Sequence, residues 1–268
     1  MTSPRVTLLM LAVASALLPA CAGPSHHAAS GELRFDTETA GKLRHAAAAG
    51  RAARVSSATR ASASVLTTAV PLLAMLLDDA DAVGELEVRL VRCARDAERR
   101  VNAEFFGARS PTRQECGEEV DVDGCGERVT RAVQLGQRKH VMALHCARQV
   151  LEQSWPASFS IEQRYRFYPN ARLLETISRE EETRLLAQGC TRELWRTIKP
   201  DIVLHSDTNL LRSVLILDFK FPCPDTNEPR WTRYGEKSAY AGSSQGQIYK
   251  EALNGEALIV SPRRGMTQ

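Results

Sequence analysis

The 268-residue sequence contains no Cys-x-x-Cys and no His-x-x-x-His pair, so its cysteines and histidines lack the usual spacing of a structural zinc site. Long hydrophobic runs are also missing. Val6 to Leu18 and Val65 to Leu77 are each too short to cross a bilayer comfortably, and Pro71 interrupts the second. No internal repeat is visible. There is little excess charge of either sign: the net value of +3 neither demands nor excludes a nucleic-acid partner, because positive charge can be confined to one groove. What is present is a hydrophobic content of 43%, enough to fill the core of one ordinary domain beside a smaller module.

The N-terminus carries an address. Arg5 precedes the apolar run, which ends in Leu18-Pro19-Ala20-Cys21. This resembles a bacterial lipoprotein signal over residues 1–20, with Cys21 lipidated as the mature N-terminus; an ordinary secretory signal is the alternative. Ala22 after the cysteine, by the sorting pattern of Gram-negative lipoproteins, implies the outer membrane. Residues 21–64 are rich in Ala, Ser, Gly and Arg and read as a tether between lipid and domain. With Cys21 committed, Cys93, Cys116, Cys125, Cys146, Cys190 and Cys223 form an even set that fits three disulfides in an oxidising compartment. Cys116 and Cys125 are close enough to staple the loop that holds them. Cys190 and Cys223 flank a two-strand hairpin and are expected to pair.

Residues 65–126 read as a helical region with a cysteine loop. Val65 to Leu77 is expected to pack as a helix, and Leu86, Leu90, Cys93, Ala97, Val101 and Phe105 recur at helical steps, with Gly107 as the stop. Ser110 to Gly126 is expected to be a solvated loop without the EF-hand spacing. A helix over 127–152 carries the stripe Val129, Val133, Gly136, His140, Leu144, Ala147 and Leu151, with Gly136 admitting a close neighbour. His140 then faces packed structure, either as a core histidine or pointing along the sheet. Ser160 to Tyr168 alternates as a strand, Leu173 to Ile177 is its hairpin partner, and Ser178 to Ile198 reads as a helix. An irregular loop from Cys223 to Ser243, a helix from Ser244 to Leu253 and a final strand from Glu256 to Ser261 close the chain.

The chain is organised around Lys199-Pro200-Asp201-Ile202-Val203-Leu204-His205 and Ser213-Val214-Leu215-Ile216-Leu217-Asp218-Phe219-Lys220-Phe221-Pro222. Two apolar runs joined by a polar turn predict neighbouring strands, the second covered on both faces. Strand alternation puts Asp218 and Lys220 on one face and Leu217, Phe219 and Phe221 on the other. Burying such charges is expensive unless they are paired or hold a metal. A structural Asp–Lys pair is the plain alternative.

Together, Pro200-Asp201 and Asp218-Phe219-Lys220 resemble the PD-(D/E)xK nuclease superfamily. Gln245 and Tyr249, four apart on one helical face, and Gly136 with His140 resemble the Q-x-x-x-Y and G-x-x-x-H motifs of its RecB-type exonuclease branch. The resemblance spans residues 127–268. It implies an α/β fold with a mixed sheet, preceded by the helical, Ala-rich N-terminal region. It also implies Mg²⁺ or Mn²⁺ held by Asp201, Asp218 and the Phe219 carbonyl, with Lys220 orienting water and Gln245 and Tyr249 positioning phosphate or Lys220. A third acidic ligand stays open among Glu162, Glu152 and Glu193, with His140 a further candidate. Trp231, Tyr234 and Tyr240 either stack bases or simply pack.

Lipid signal, low-complexity arm and nuclease-like domain together resemble the swarm-inhibition lipoprotein toxins of myxobacteria. That implies nucleic acid as substrate in a recipient cytoplasm, DNA before RNA, and a cognate immunity protein as partner. The rival is a non-enzymatic outer-membrane lipoprotein using a degenerate nuclease-like fold for binding.

Overall fold

The computed structural model describes residues 65–66, 71–77, 79–107 and 109–268. Cys21 and the rest of residues 1–64 lie outside them, and so do the expected signal, lipid anchor and tether. Residues 61–268 form one unit.

Pro71 caps helix α1 (Leu72–Leu76). Asp79 then caps the long helix α2 (Ala80–Phe106) by accepting from the Asp81 amide, and Gly107 stops it in a left-handed conformation at φ 62°. Val83, Leu86, Leu90, Ala94, Ala97 and Val101 line its buried stripe, as the periodicity requires. The polar stretch that follows is more structured than a loop. Thr112 and Glu115 form a reciprocal capping box on α3 (Arg113–Gly117). Strands β1 (Glu119–Val122) and β2 (Arg128–Thr130) then pair as an antiparallel ladder.

Helix α4 (Arg131–Ser154) begins later than its pattern suggests, because Val129 belongs to β2. Leu144, Ala147 and Leu151 of the expected stripe are buried, and Leu135, Lys139 and Ala143 join them, while Val133 is 46% exposed. Gly136 admits no close neighbour: a Cβ built there meets nothing within 4 Å.

The alternating run after α4 does not form one strand. It breaks at Glu162, whose φ is 49°, into β3 (Phe159–Ile161) and β4 (Tyr165–Tyr168), which join different sheets. A 3₁₀ turn (Pro169–Ala171) leads to β5 (Leu173–Thr176), the expected hairpin partner of β4. The expected helix over 178–198 is likewise divided. Gly189, at φ 76°, separates α5 (Arg179–Ala187) from α6 (Arg192–Trp195), and β6 (Thr197–Ile198) adds to the β4 edge.

Strands β7 (Ile202–Leu204) and β8 (Leu215–Phe219) form the predicted antiparallel hairpin, with Ile202 opposite Leu217. Ser244 caps α7 (Gln245–Leu253) and left-handed Asn254 ends it. Strands β9 (Glu256–Ser261) and β10 (Gly265–Thr267) follow. Strand β9 pairs parallel to β8, giving a mixed sheet of order β10-β9-β8-β7-β3; β5-β4-β6 make a second sheet. The class is therefore α+β with mixed sheets.

The central sheet is buried on both faces. Leu215, Leu217 and Phe219 pack towards α2 and α4, with Ile202, Leu258 and Val260. Ile216 and Val203 pack the other way, with Ile248, Tyr249 and Leu253 of α7 and Tyr165 and Phe167 of β4. Burying each such side chain contributes about 1.5–3 kcal/mol before the entropy of ordering it. This two-sided core holds the end of β8 in place.

The disulfides correct the expected pairing. Cys93 joins Cys146 between α2 and α4, Cys116 joins Cys223, and Cys125 joins Cys190, with Cα separations of 5.6, 5.7 and 5.7 Å. Cys116 is buried on α3 and Cys125 sits at the exposed β1–β2 turn, so they do not staple one another. Residues 191–198 pass into α6 and β6 of the second sheet, which leaves Cys190 facing the β1–β2 turn and not the end of β8.

Candidate functional site

The β7–β8 register places Asp201, just before β7, across from Asp218 near the end of β8. Asp201 Oδ2 accepts the Phe219 amide at 2.7 Å, so one carboxylate is fastened to the neighbouring strand's backbone. His140 of α4 brings Nδ1 to 3.1 Å from the same oxygen, while its ring meets Phe221 edge-on at 5.2 Å. Of the two readings of His140, the one that points it into the site describes the structure: its side chain is 32% exposed. Burial works against a charge on this imidazole. The hydrogen bond and charge of Asp201, with Asp218 beyond, outweigh it and raise the pKa above the ordinary value.

Asp218 is the most enclosed member. Burial first, and repulsion from Asp201 second, push its carboxyl up to about 6, against the opposing pull of Lys220. Its Oδ2 lies 2.5 Å from Lys220 Nζ as an ion pair, yet no aligned hydrogen bond reaches that oxygen. Lys220 Nζ also donates to Gln245 Oε1 at 2.8 Å and stands 5.8 Å from the Trp231 ring. Gln245 is the first residue of α7, so the helix cap at Ser244 fixes it.

Tyr249 lies one turn deeper on the same helix face. Its hydroxyl donates to the Lys199 carbonyl at 3.3 Å, steadying the segment that carries Asp201. Burial, reinforced by the charge of Asp218, holds its phenol well above the ordinary pKa. Glu162 stands at the same end of the sheet, since its amide donates to the Asp201 carbonyl at 2.9 Å. Its carboxylate, however, is engaged by Lys199 at 3.0 Å. Glu152 and Glu193 are exposed on α4 and α6.

The structure therefore gathers His140, Asp201, Asp218, Lys220 and Gln245, with Tyr249 beneath them. The contact seen from Phe219 is its amide, which holds Asp201 Oδ2. Among the described residues, no three His, Cys, Asp or Glu side chains are arranged to hold a metal ion. The loop aromatics divide. Tyr240 is buried, its hydroxyl donating to the Phe167 and Arg196 carbonyls, and Tyr234 packs edge-on against it at 5.1 Å. Trp231 stands beside Lys220, and Tyr234 is near enough to feel the charge of Asp218.

Sequence reasoning missed the seat of that indole. A Cβ at Gly246 would come within 2.6 Å of Trp231 Cε2. Gly246→Ala gains up to about 1 kcal/mol of helix propensity but overpacks the contact, at a cost of about 1–3 kcal/mol. We expect a lower melting temperature, restored in Gly246→Ala/Trp231→Ala. A variant as stable as wild type would show that the indole yields freely.

No protein-family model matches this chain, and no curated protein or solved structure matches it, so the geometry of the strand end carries the functional reading.

Proposed function

We propose that the protein is a metal-dependent nuclease of PD-(D/E)xK type that hydrolyses phosphodiester bonds, in DNA before RNA. The observation that supports this is the convergence of Asp201, Asp218, Lys220 and Gln245 on one strand end. Asp201 and Asp218 suit Mg²⁺ or Mn²⁺: they are hard oxygen donors set side by side by the β7–β8 register. Two carboxylates are enough for a cation that keeps water and takes phosphate oxygens as its remaining ligands. When bound, such an ion polarises the scissile phosphate and makes water a better nucleophile.

The chain's own residues do the positioning. Asp201, held by the Phe219 amide and His140, is fixed before substrate arrives. Lys220 carries its charge between Asp218 and Gln245, where it orients a water or stabilises negative charge developing on phosphate. Gln245 keeps that ammonium in place. Tyr249 supports the Asp201 segment from below.

In the same reading, residues 1–20 export the chain, Cys21 anchors it to the outer membrane, and the nuclease acts as a toxin in the cytoplasm of a recipient cell, with an immunity protein protecting kin. The want of a third acidic ligand favours the second reading, an envelope lipoprotein that binds through a degenerate fold.

Full-length protein in detergent, incubated with DNA or RNA with Mg²⁺, Mn²⁺ or EDTA, separates the two. Cleavage with metal and none with EDTA is expected. A folded protein that cuts neither polymer, oxidised or reduced, rejects hydrolysis in favour of binding.

A further inference from the structure

The site is nearly closed. Side-chain exposure is 5% for Asp218, 13% for Asp201 and 17% for Lys220. The segment that leaves β8 directly after Lys220 borders these groups, through Phe221 edge-on to the His140 ring and through Trp231. Trp231 seats on Gly246, meets the Tyr249 ring edge-on at 6.0 Å and stands beside the Lys220 ammonium.

The two ends of this segment are held differently. At its far end the Tyr234 amide donates to the Ser243 carbonyl at 3.0 Å, Arg233 bridges to Ser244, and Tyr240 is buried. Those contacts are non-covalent and extensive. At its near end Phe221 packs against His140 and Phe219, and the covalent anchor is the Cys116–Cys223 disulfide to α3. Between Pro224 and Arg230, the ion pairs to other elements are Asp225, 20% exposed and within electrostatic reach of Lys139 and Glu98, with Arg263 at 3.1 Å, and Glu228 with Arg264, whose side chains are 49% and 59% exposed. The second pair, exposed on both partners, holds little.

Resting on the nuclease reading, we propose that residues 221–232 are a lid held shut by the Cys116–Cys223 disulfide, and that reduction of this bond opens the site. The reductant is a thiol: two thiol equivalents break the S–S bond, both cysteines leave as thiols, and the reductant becomes its own disulfide. Cys223 is half-buried and so can be reached, as can half-buried Cys146 and exposed Cys125 of the other two bridges; what distinguishes Cys116–Cys223 is its place at the near end of this segment. The chain would then be latent in an oxidising envelope and active in a thiol-rich cytoplasm.

Two readouts test this on full-length protein with and without dithiothreitol. The first is trypsin cleavage after Arg230, which is exposed within the lid. The second is the rate of nucleic-acid cleavage. Both should rise at least about tenfold on reduction, the effect of making a minor open state dominant. Since full reduction also breaks the other bridges, Cys116→Ser/Cys223→Ser should behave as open without reductant, and Cys125→Ser/Cys190→Ser should stay latent. The proposal is overturned if oxidised wild type and Cys116→Ser/Cys223→Ser, both folded by circular dichroism, are equally resistant to trypsin, or equally fast on nucleic acid. If Arg230 becomes labile but no state cleaves nucleic acid, the hydrolytic reading has failed, and gating of hydrolysis falls with it.

Discussion

Asp218→Asn should lower nucleic-acid cleavage by at least about a hundredfold, the scale of losing one catalytic electrostatic contact, and should at the same time make the protein more stable at pH 8. The second half follows from burial. The carboxyl has a pKa of about 6 in the fold against an ordinary 3.8. Because the folded value is the higher one, the folded chain holds the proton more tightly than the unfolded chain does. Asp218 is then harmless to folding below its ordinary pKa, and a cost grows as pH rises towards and through the folded one. A gap of about 2 units corresponds to roughly 3 kcal/mol at full ionisation, an upper bound on what the neutral amide recovers.

A merely structural Asp218–Lys220 pair predicts the opposite sign, since deleting one partner leaves a buried charge alone. Thermal melts at pH 4 and pH 8 beside a cleavage assay decide between them. The site reading expects no gain at pH 4, a gain at pH 8 and lost activity. A drop in melting temperature at pH 8, or a folded variant that cuts like wild type, rejects it. Stability given up at a strand end in order to hold two carboxylates together is a common trade at functional sites.

How much of this arrangement could be read from residue order depends on the range of the forces involved. The β7–β8 hairpin was legible because its side chains alternate between two buried faces, which leaves only one place for Asp218 and Lys220. Helix α7 was legible from Ser244 and Asn254 at its ends. Local breaks were harder. Gly189 and Glu162 adopt left-handed backbone in the middle of periodic runs, and the period hides them. The Thr112–Glu115 capping box was present in the sequence but embedded in a stretch too polar to read as a helix. Long-range pairing was not legible at all. The cysteines pair according to where α3, the β1–β2 turn and the β8 exit lie in space, and spacing along the chain says nothing of that. His140 could be placed on a helix but not aimed, because the buried face of α4 takes in Leu135, Lys139 and Ala143 beyond the expected stripe.

The same wider face hid Lys139, which sequence alone leaves among the polar residues of α4 but which is 2% exposed. Its Nζ faces Glu98 Oε1 of α2 at 3.4 Å and stands 6.0 Å from the Phe221 ring, one residue from His140. Burial lowers the ammonium's pKa and raises the carboxyl's, in each case against the partner's charge. Glu98→Gln should therefore be the most destabilising single change near the site. It strands a buried cation, at about 3–5 kcal/mol, or roughly 10 °C in melting temperature for a body of this size. Lys139→Met should cost less than half as much, because the carboxyl left behind is raised in pKa by burial and can take a proton. Glu98→Gln/Lys139→Met should recover most of the loss. The pH dependence carries its own sign. With the folded ammonium pKa below the unfolded one, the folded chain binds fewer protons, so the Glu98→Gln variant should regain stability as pH climbs towards the ordinary lysine value of about 10.4. Melts of the three variants between pH 7 and pH 10 check this. Equal losses in both single variants, unchanged across that range, would mean that the two side chains act through packing and not through charge.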